Sequence, residues 1–124
     1  MNIARAFLII GALYLVVGMS LGIHMGASQR FTLAPVHAHI NLVGFALMTL
    51  FGLVYRVIPA MGAGIFGRLH FWLFQLGAVV MLSGLYLLIS ETLPAPSVGP
   101  VMAIAEVAVL LGVVSFLVNL WKNA

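Results

Sequence analysis

Four long apolar runs follow one another in 124 residues, with only short breaks between them. They fall at about residues 4–25, 35–58, 68–90 and 101–121. A helix that crosses a bilayer takes about 20 predominantly apolar residues, so each run is long enough for one crossing. Inside the hydrocarbon no water is available to bond a free backbone amide, and only helices and closed barrels satisfy their own backbone there. Runs of this length and apolarity give helices. The expected fold is an all-α membrane protein: one domain, 1–124, of four transmembrane helices in an up-down bundle. Composition excludes a soluble domain, because 6% of the residues are charged where a soluble protein has about 25%.

The net charge of +3 rests on five Lys and Arg side chains. Arg5, Arg56, Arg68 and Lys122 fall at the N-terminus, the second loop and the C-terminus, and only Arg30 falls on the other side. Cytoplasmic loops carry the excess of Lys and Arg, so both termini are expected in the cytoplasm, with the first and third loops outside. The pattern fits a multi-pass protein of a bacterial cytoplasmic membrane whose surrounding partner is lipid. A charge set of this kind is a topology signal and not a nucleic-acid patch. The first run is too long for a signal-peptide core and no clear cleavage site follows it, so it reads as a mature helix. There is no cysteine, which removes thiolate sites and leaves His, Met, Glu, Tyr and Asn as the possible metal ligands.

Polar residues within apolar runs are functional candidates by default, and the second run, PVHAHINLVGFALMTLFGLVYRVIP (35–59), is richest in them. Pro35 suits a first helical turn, where a missing N–H costs nothing. His37 and His39 are two residues apart, hence about 200° apart around a helix. His37 shares its stripe with Asn41, Gly44, Met48, Gly52 and Tyr55, a small and polar face expected to look into the bundle. His39 shares its stripe with Leu42, Val43, Ala46 and Leu50, an aliphatic face expected to look to lipid or to another subunit. The space beside Gly44 and Gly52 is where a flat cofactor could lie. The alternative is that these glycines serve helix packing and His37 bonds a backbone carbonyl.

In the first run Gly18, Gly22 and Gly26 have the spacing that lets another helix approach closely, and His24 lies in the last turn. The third run opens with an aromatic group (LHFWLFQ, 69–75) of the kind found at membrane interfaces. It sets His70, Gly77, Gly84 and Glu91 on one face, and His70 reads as interfacial or structural. The third loop, ETLPAPSVGP (91–100), is too proline-rich to continue a helix. The fourth run carries one charge, Glu106, less than two turns from that loop. On this reading His24, His37, His39 and Glu106 all lie in the outer third of the membrane, with Arg30 just above. Imidazole suits iron, copper and zinc, and a carboxylate commonly receives the second nitrogen of a ligating histidine. The expected metal ligands are therefore His37, His24 and His39, with Glu106 beside them. Asn41, Gly44, Met48 and Arg30 are the other candidate cofactor contacts, Arg30 as a partner for haem propionates.

The stretch VHAHINLVGFALMTLFGLVY (36–55), with RVIP after it and HFWLFQLG opening the next helix, resembles subunit I of the haem–copper oxidase superfamily. That superfamily includes cbb3-type oxidases and nitric oxide reductases. The stretch is also similar to NnrS-type membrane haem proteins. The likeness covers roughly residues 35–90. It implies a haem b whose axial ligand falls on His37, or on His39. The family has about twelve helices and this chain has four, so the helices that carry the family's other haem ligands and its copper ligands have no counterpart. A complete oxygen-reducing centre is not expected, and the second axial ligand would come from His24, His39, a methionine such as Met25 or Met102, or a second copy. The resemblance therefore implies a haem b protein, expected as a homo-oligomer with a redox partner, for electron transfer or for binding oxygen or nitric oxide. The other reading is a non-haem copper or zinc protein, or an accessory subunit with structural histidines. No nucleophile–base pair, phosphate loop or paired carboxylate is present, so catalysis would run only through a bound metal.

Overall fold

The computed structural model describes all residues, Met1–Ala124. Four helices long and apolar enough to cross a membrane occupy Ile3–Ser28, Ala34–Val57, Ile65–Ile89 and Ala95–Asn123. The first is α1. The second span has three parts: α2 (Ala34–His39), a π-helical stretch (Ile40–Leu47) and α3 (Met48–Val57). A one-turn helix, α4 (Ala60–Ala63), leads into α5 (Ile65–Ile89), and α6 (Ala95–Asn123) closes the chain. There are no strands, and the chain runs up, down, up, down, so both termini and the second loop share one end.

Local chemistry sets the ends. Asn2 accepts the Arg5 amide at 3.0 Å and caps α1, while Gln29, with φ 54°, ends it in the left-handed region. After α5 the chain turns sharply through Glu91, also at positive φ. The fourth helix begins about six residues before the expected position. Pro96 sits in its first turn, where no amide is needed, and the helix carries Pro100 inside it. At that place only one hydrogen bond near the helix end is lost.

Helices pair as two hairpins through glycine notches. On α1, Gly11 faces Met48 and Thr49, Gly18 faces Asn41, and Gly22 faces His37. The second span answers with Gly44, which receives the Tyr14 ring, and Gly52, which receives Leu8. In the other hairpin Gly77 takes the Ala105 carbonyl and Val109, Gly84 takes Met102 and Val98, and Gly112 of α6 takes Phe74. Lipid drives no hydrophobic association between helices, so close backbone approach of this kind carries the packing. Gly26, expected to join this set, meets nothing.

The hairpins join mainly at the end with the termini. Phe7, Phe51, Tyr55, Phe71 and Phe74 are buried together with Met48 and Met61. Toward the other end a smaller cluster of Val36, Ile40 and Leu82 holds the second span to α5. The aromatic opening of α5 is thus half a core: Phe71 and Phe74 are buried and only Trp72 faces out.

Candidate functional site

Two polar constellations lie inside the membrane-spanning region, one at each end. At the loop end, His37 is half-buried against α1, and its Nδ1 meets the Gly18 carbonyl at 2.8 Å. A carbonyl only accepts, so Nδ1 carries the proton. The Asn41 amide nitrogen lies 3.3 Å from Nδ1 and 3.4 Å from Nε2. Both Asn41 Nδ2 and a protonated Nδ1 are donors, so its contact to the ring is the one to Nε2. The stronger bond from Asn41 goes to the His37 carbonyl at 3.0 Å, the acceptor that a regular helix gives to the Asn41 backbone amide. A side chain inserted into the helical ladder is a recognised cause of helix distortion, and the π-helical stretch begins beside it. Such stretches are frequent at functional sites.

His39 points away from the bundle and is exposed. Its Nδ1 donates to the Pro35 carbonyl at 2.7 Å, so its Nε2 lone pair is free and faces outward. The opposite faces expected for the two histidines are those observed.

At the other end is a constellation that sequence reasoning did not assemble. His70 is fully buried, not at the lipid interface, which corrects one half of the expectation and leaves the structural half. Its Nδ1 lies 2.9 Å from the Tyr55 hydroxyl. Asn119, also buried, donates to the Met61 carbonyl at 2.8 Å and, at 3.5 Å, to the Tyr55 oxygen. Tyr55 therefore donates its own proton to His70 Nδ1. The His70 proton then resides on Nε2, which has no hydrogen-bond partner. Phe51 meets the imidazole edge-on at 4.4 Å, with Phe7 and Phe116 each at 5.0 Å. Two signals pointed here: Tyr55 on the inward stripe of its run, and His70 on one face with Gly77 and Gly84.

Several expected contacts are not brought together. No three histidine or acidic side chains converge, so the set His24, His37, His39 and Glu106 does not form one site within the chain. His24 is exposed on the last turns of α1, and Arg30 is exposed in the first loop. Glu106 is also exposed and lies deeper than expected. It sits level with Gly77, whose neighbours are Ala105 and Val109, while the histidine end of the second span packs near Leu82. At 1.5 Å per residue, the five residues between Gly77 and Leu82 put Glu106 about 8 Å further into the membrane. The earlier start of α6 is the reason. Met48 is a core residue that accepts a weak bond from Gln75 at 3.5 Å.

The face beside Gly44 and Gly52 does not fit a porphyrin. A Cβ at Gly44 would lie 2.5 Å from the Tyr14 ring and one at Gly52 would lie 2.8 Å from Leu8, so α1 already fills that cradle. The apolar groove between the hairpins, about 430 Å³ and lined by Tyr14, Val36, Ile40 and Leu82 among others, has no histidine in its wall. His39 does fit an axial ligand, since its tautomer is fixed and its Nε2 is unobstructed. Comparison with family models, with curated proteins and with solved structures gives no match.

Proposed function

We propose that this multi-pass membrane protein binds haem b on the outer surface of its second span, with His39 as an axial ligand, for electron transfer or small-gas binding. The observation that carries the reading is the 2.7 Å bond from His39 Nδ1 to the Pro35 carbonyl. A ligating histidine characteristically donates its other ring nitrogen to a carbonyl or carboxylate, which fixes the tautomer and raises ligand basicity. Pro35 has that role here, and its own ring stiffens the turn that holds the carbonyl. The resemblance of residues 36–55 to the helix that carries a haem ligand in the oxidase superfamily supports the same turn. A haem held there supplies one-electron chemistry at iron, with a potential set by the ligands and by burial. Arg30, exposed in the first loop, would be available to pair with the propionates of such a haem. His37 is a positioning residue, pinned to Gly18 and holding the turn against α1. A second copy of the chain would supply a further ligand to the iron, or that side would stay open to a gas. By the charge pattern the histidine end faces outward across a bacterial cytoplasmic membrane.

A second reading has one specific observation behind it. His37 and His70 are both engaged in internal hydrogen bonds, as structural histidines of an accessory subunit would be. Spectra separate the two. In the haem reading, protein made with adequate haem supply has a Soret band that His39→Ala removes and His70→Ala leaves. Colourless wild-type protein sinks the haem reading and leaves the accessory one.

A further inference from the structure

At the end that holds the termini, two cavities adjoin, and neither reading uses them. One, of about 380 Å³, has Asn2, Tyr55, Arg56 and Pro59 in its wall. The other, of about 310 Å³, has Ala63 and Arg68. Met1, Ile3 and Gly62 line both. The walls come from the start of α1, the last turn of α3, α4 and the first turn of α5, so the pair exists only in the folded chain. A Cβ on Gly62 would meet nothing within 4 Å, so the space beside the shared wall is open. Each cavity has one arginine, and both arginines are exposed. No acidic side chain is near to pair with them. The chain has two, Glu91 beyond the far end of α5 and Glu106 within α6. A guanidinium is a planar fork of donors that suits phosphate. Val57, next to Arg56, and Ile65, one turn before Arg68, are 79% and 56% exposed. Unpaired cations beside outward-facing apolar side chains mark the boundary between hydrocarbon and headgroups.

We propose that the two cavities together hold the headgroup of a phospholipid with two phosphates, of the diphosphatidylglycerol type, with one phosphate on Arg56 and the other on Arg68. Orientation by positive charge needs no cavity around the charge, whereas here each cation borders a space and the two spaces share a wall. One phosphate per space, with the bridge between them over Gly62, uses both. Asn2 spends its side-chain oxygen on the cap of α1, which leaves its amide nitrogen as a further donor in the wall of the first cavity. Basic pockets between helices on the cytoplasmic side suit anionic lipids of this kind, and the charge pattern puts this end in the cytoplasm. A soluble phosphate would meet the same cations but gain nothing from Val57 and Ile65, along which acyl chains can lie. The inference rests on no part of the haem assignment.

The test titrates delipidated full-length protein in detergent with diphosphatidylglycerol, phosphatidylglycerol or phosphatidylcholine and counts bound lipid by native mass spectrometry. The parent should bind one diphosphatidylglycerol about fivefold more tightly than phosphatidylglycerol, the scale of one added basic contact, and should not retain phosphatidylcholine. Arg56→Gln and Arg68→Gln should each weaken diphosphatidylglycerol about fivefold and remove the preference over phosphatidylglycerol. Arg5→Gln makes the same charge change at the same end but outside both cavities, and should bind like the parent. Gly62→Leu keeps every charge and fills the shared space at a position without positive φ, and should also weaken binding. Helicity measured on each variant shows that it is folded. The proposal fails if Arg5→Gln weakens binding as much as Arg56→Gln, which would make the attraction one of diffuse charge. It fails if the parent takes up phosphatidylglycerol as tightly as diphosphatidylglycerol. It also fails if millimolar inorganic phosphate displaces the lipid, which would make the cavities a site for a soluble anion.

Discussion

Adding one methyl group at Gly77 should loosen the α5–α6 hairpin, while the same change one heptad later should not. A Cβ at Gly77 would lie 2.8 Å from the Ala105 carbonyl oxygen and 3.0 Å from the Val109 amide nitrogen, both backbone atoms, where ordinary contact begins at 3.4 Å. Relieving the clash moves α6 away by about 0.6 Å along the seam, and overpacking of this kind costs about 1–3 kcal/mol. The higher helix propensity of alanine offsets less than about 1 kcal/mol of that. Gly77→Ala should therefore destabilise by about 1–2 kcal/mol. At Gly84 the Cβ would meet Met102 Cγ at 2.5 Å and Sδ at 3.1 Å. That is a flexible side chain, half-buried, which can rotate away, so Gly84→Ala should be close to neutral. Reversible unfolding of both variants in bicelles, followed by tryptophan fluorescence, measures the difference. Equal stability within about 0.5 kcal/mol, the scatter of ordinary surface changes, would refute the packing argument.

Other consequences follow from the buried polar groups. Tyr55→Phe removes the partner of His70 Nδ1 in a site where Nε2 already has none. It should destabilise by about 1–3 kcal/mol. His70→Phe/Tyr55→Phe replaces both polar members with rings that suit the aromatic surroundings and should be more stable than Tyr55→Phe alone, read in the same unfolding experiment. Asn41→Ala takes a donor from the His37 carbonyl. It should cost about 1 kcal/mol and let the π-helical stretch relax toward a regular helix, visible in amide chemical shifts.

Much of the fold could be read in the residues. Four runs of sufficient length leave little choice of element. The inward face of the second span followed from small and polar residues at helical spacing: Gly44, Met48, Gly52 and Tyr55 are buried and His39 is not. Three things were not legible, each for a physical reason. The start of α6 was hidden because Pro96 and Pro100 signal a loop, yet a first turn tolerates one and a helix can absorb the other near its end. His70 was hidden because an interfacial aromatic belt and a buried aromatic cluster have the same composition. Only the rotation of α5, set by Gly77 and Gly84 against α6, distinguishes them. The filled cradle at Gly44 and Gly52 was hidden because a glycine notch reads the same whether a cofactor or a neighbouring helix enters it. Tyr14 and Leu8, which enter it here, carry no mark of that role in sequence.

The most direct measurement is the visible spectrum of the detergent-purified protein, oxidised and then reduced with dithionite, for the parent, His39→Ala, His37→Ala and His70→Ala. The haem reading predicts a Soret band, with sharp α and β bands on reduction, in the parent and in His70→Ala, weakened in His37→Ala and lost in His39→Ala. Carbon monoxide should leave the reduced parent unchanged if a second imidazole completes the iron, and shift it if a position is open for a gas. A Soret band that survives His39→Ala would contradict the ligand assignment, and a parent without any Soret band, made with adequate haem supply, would contradict the function.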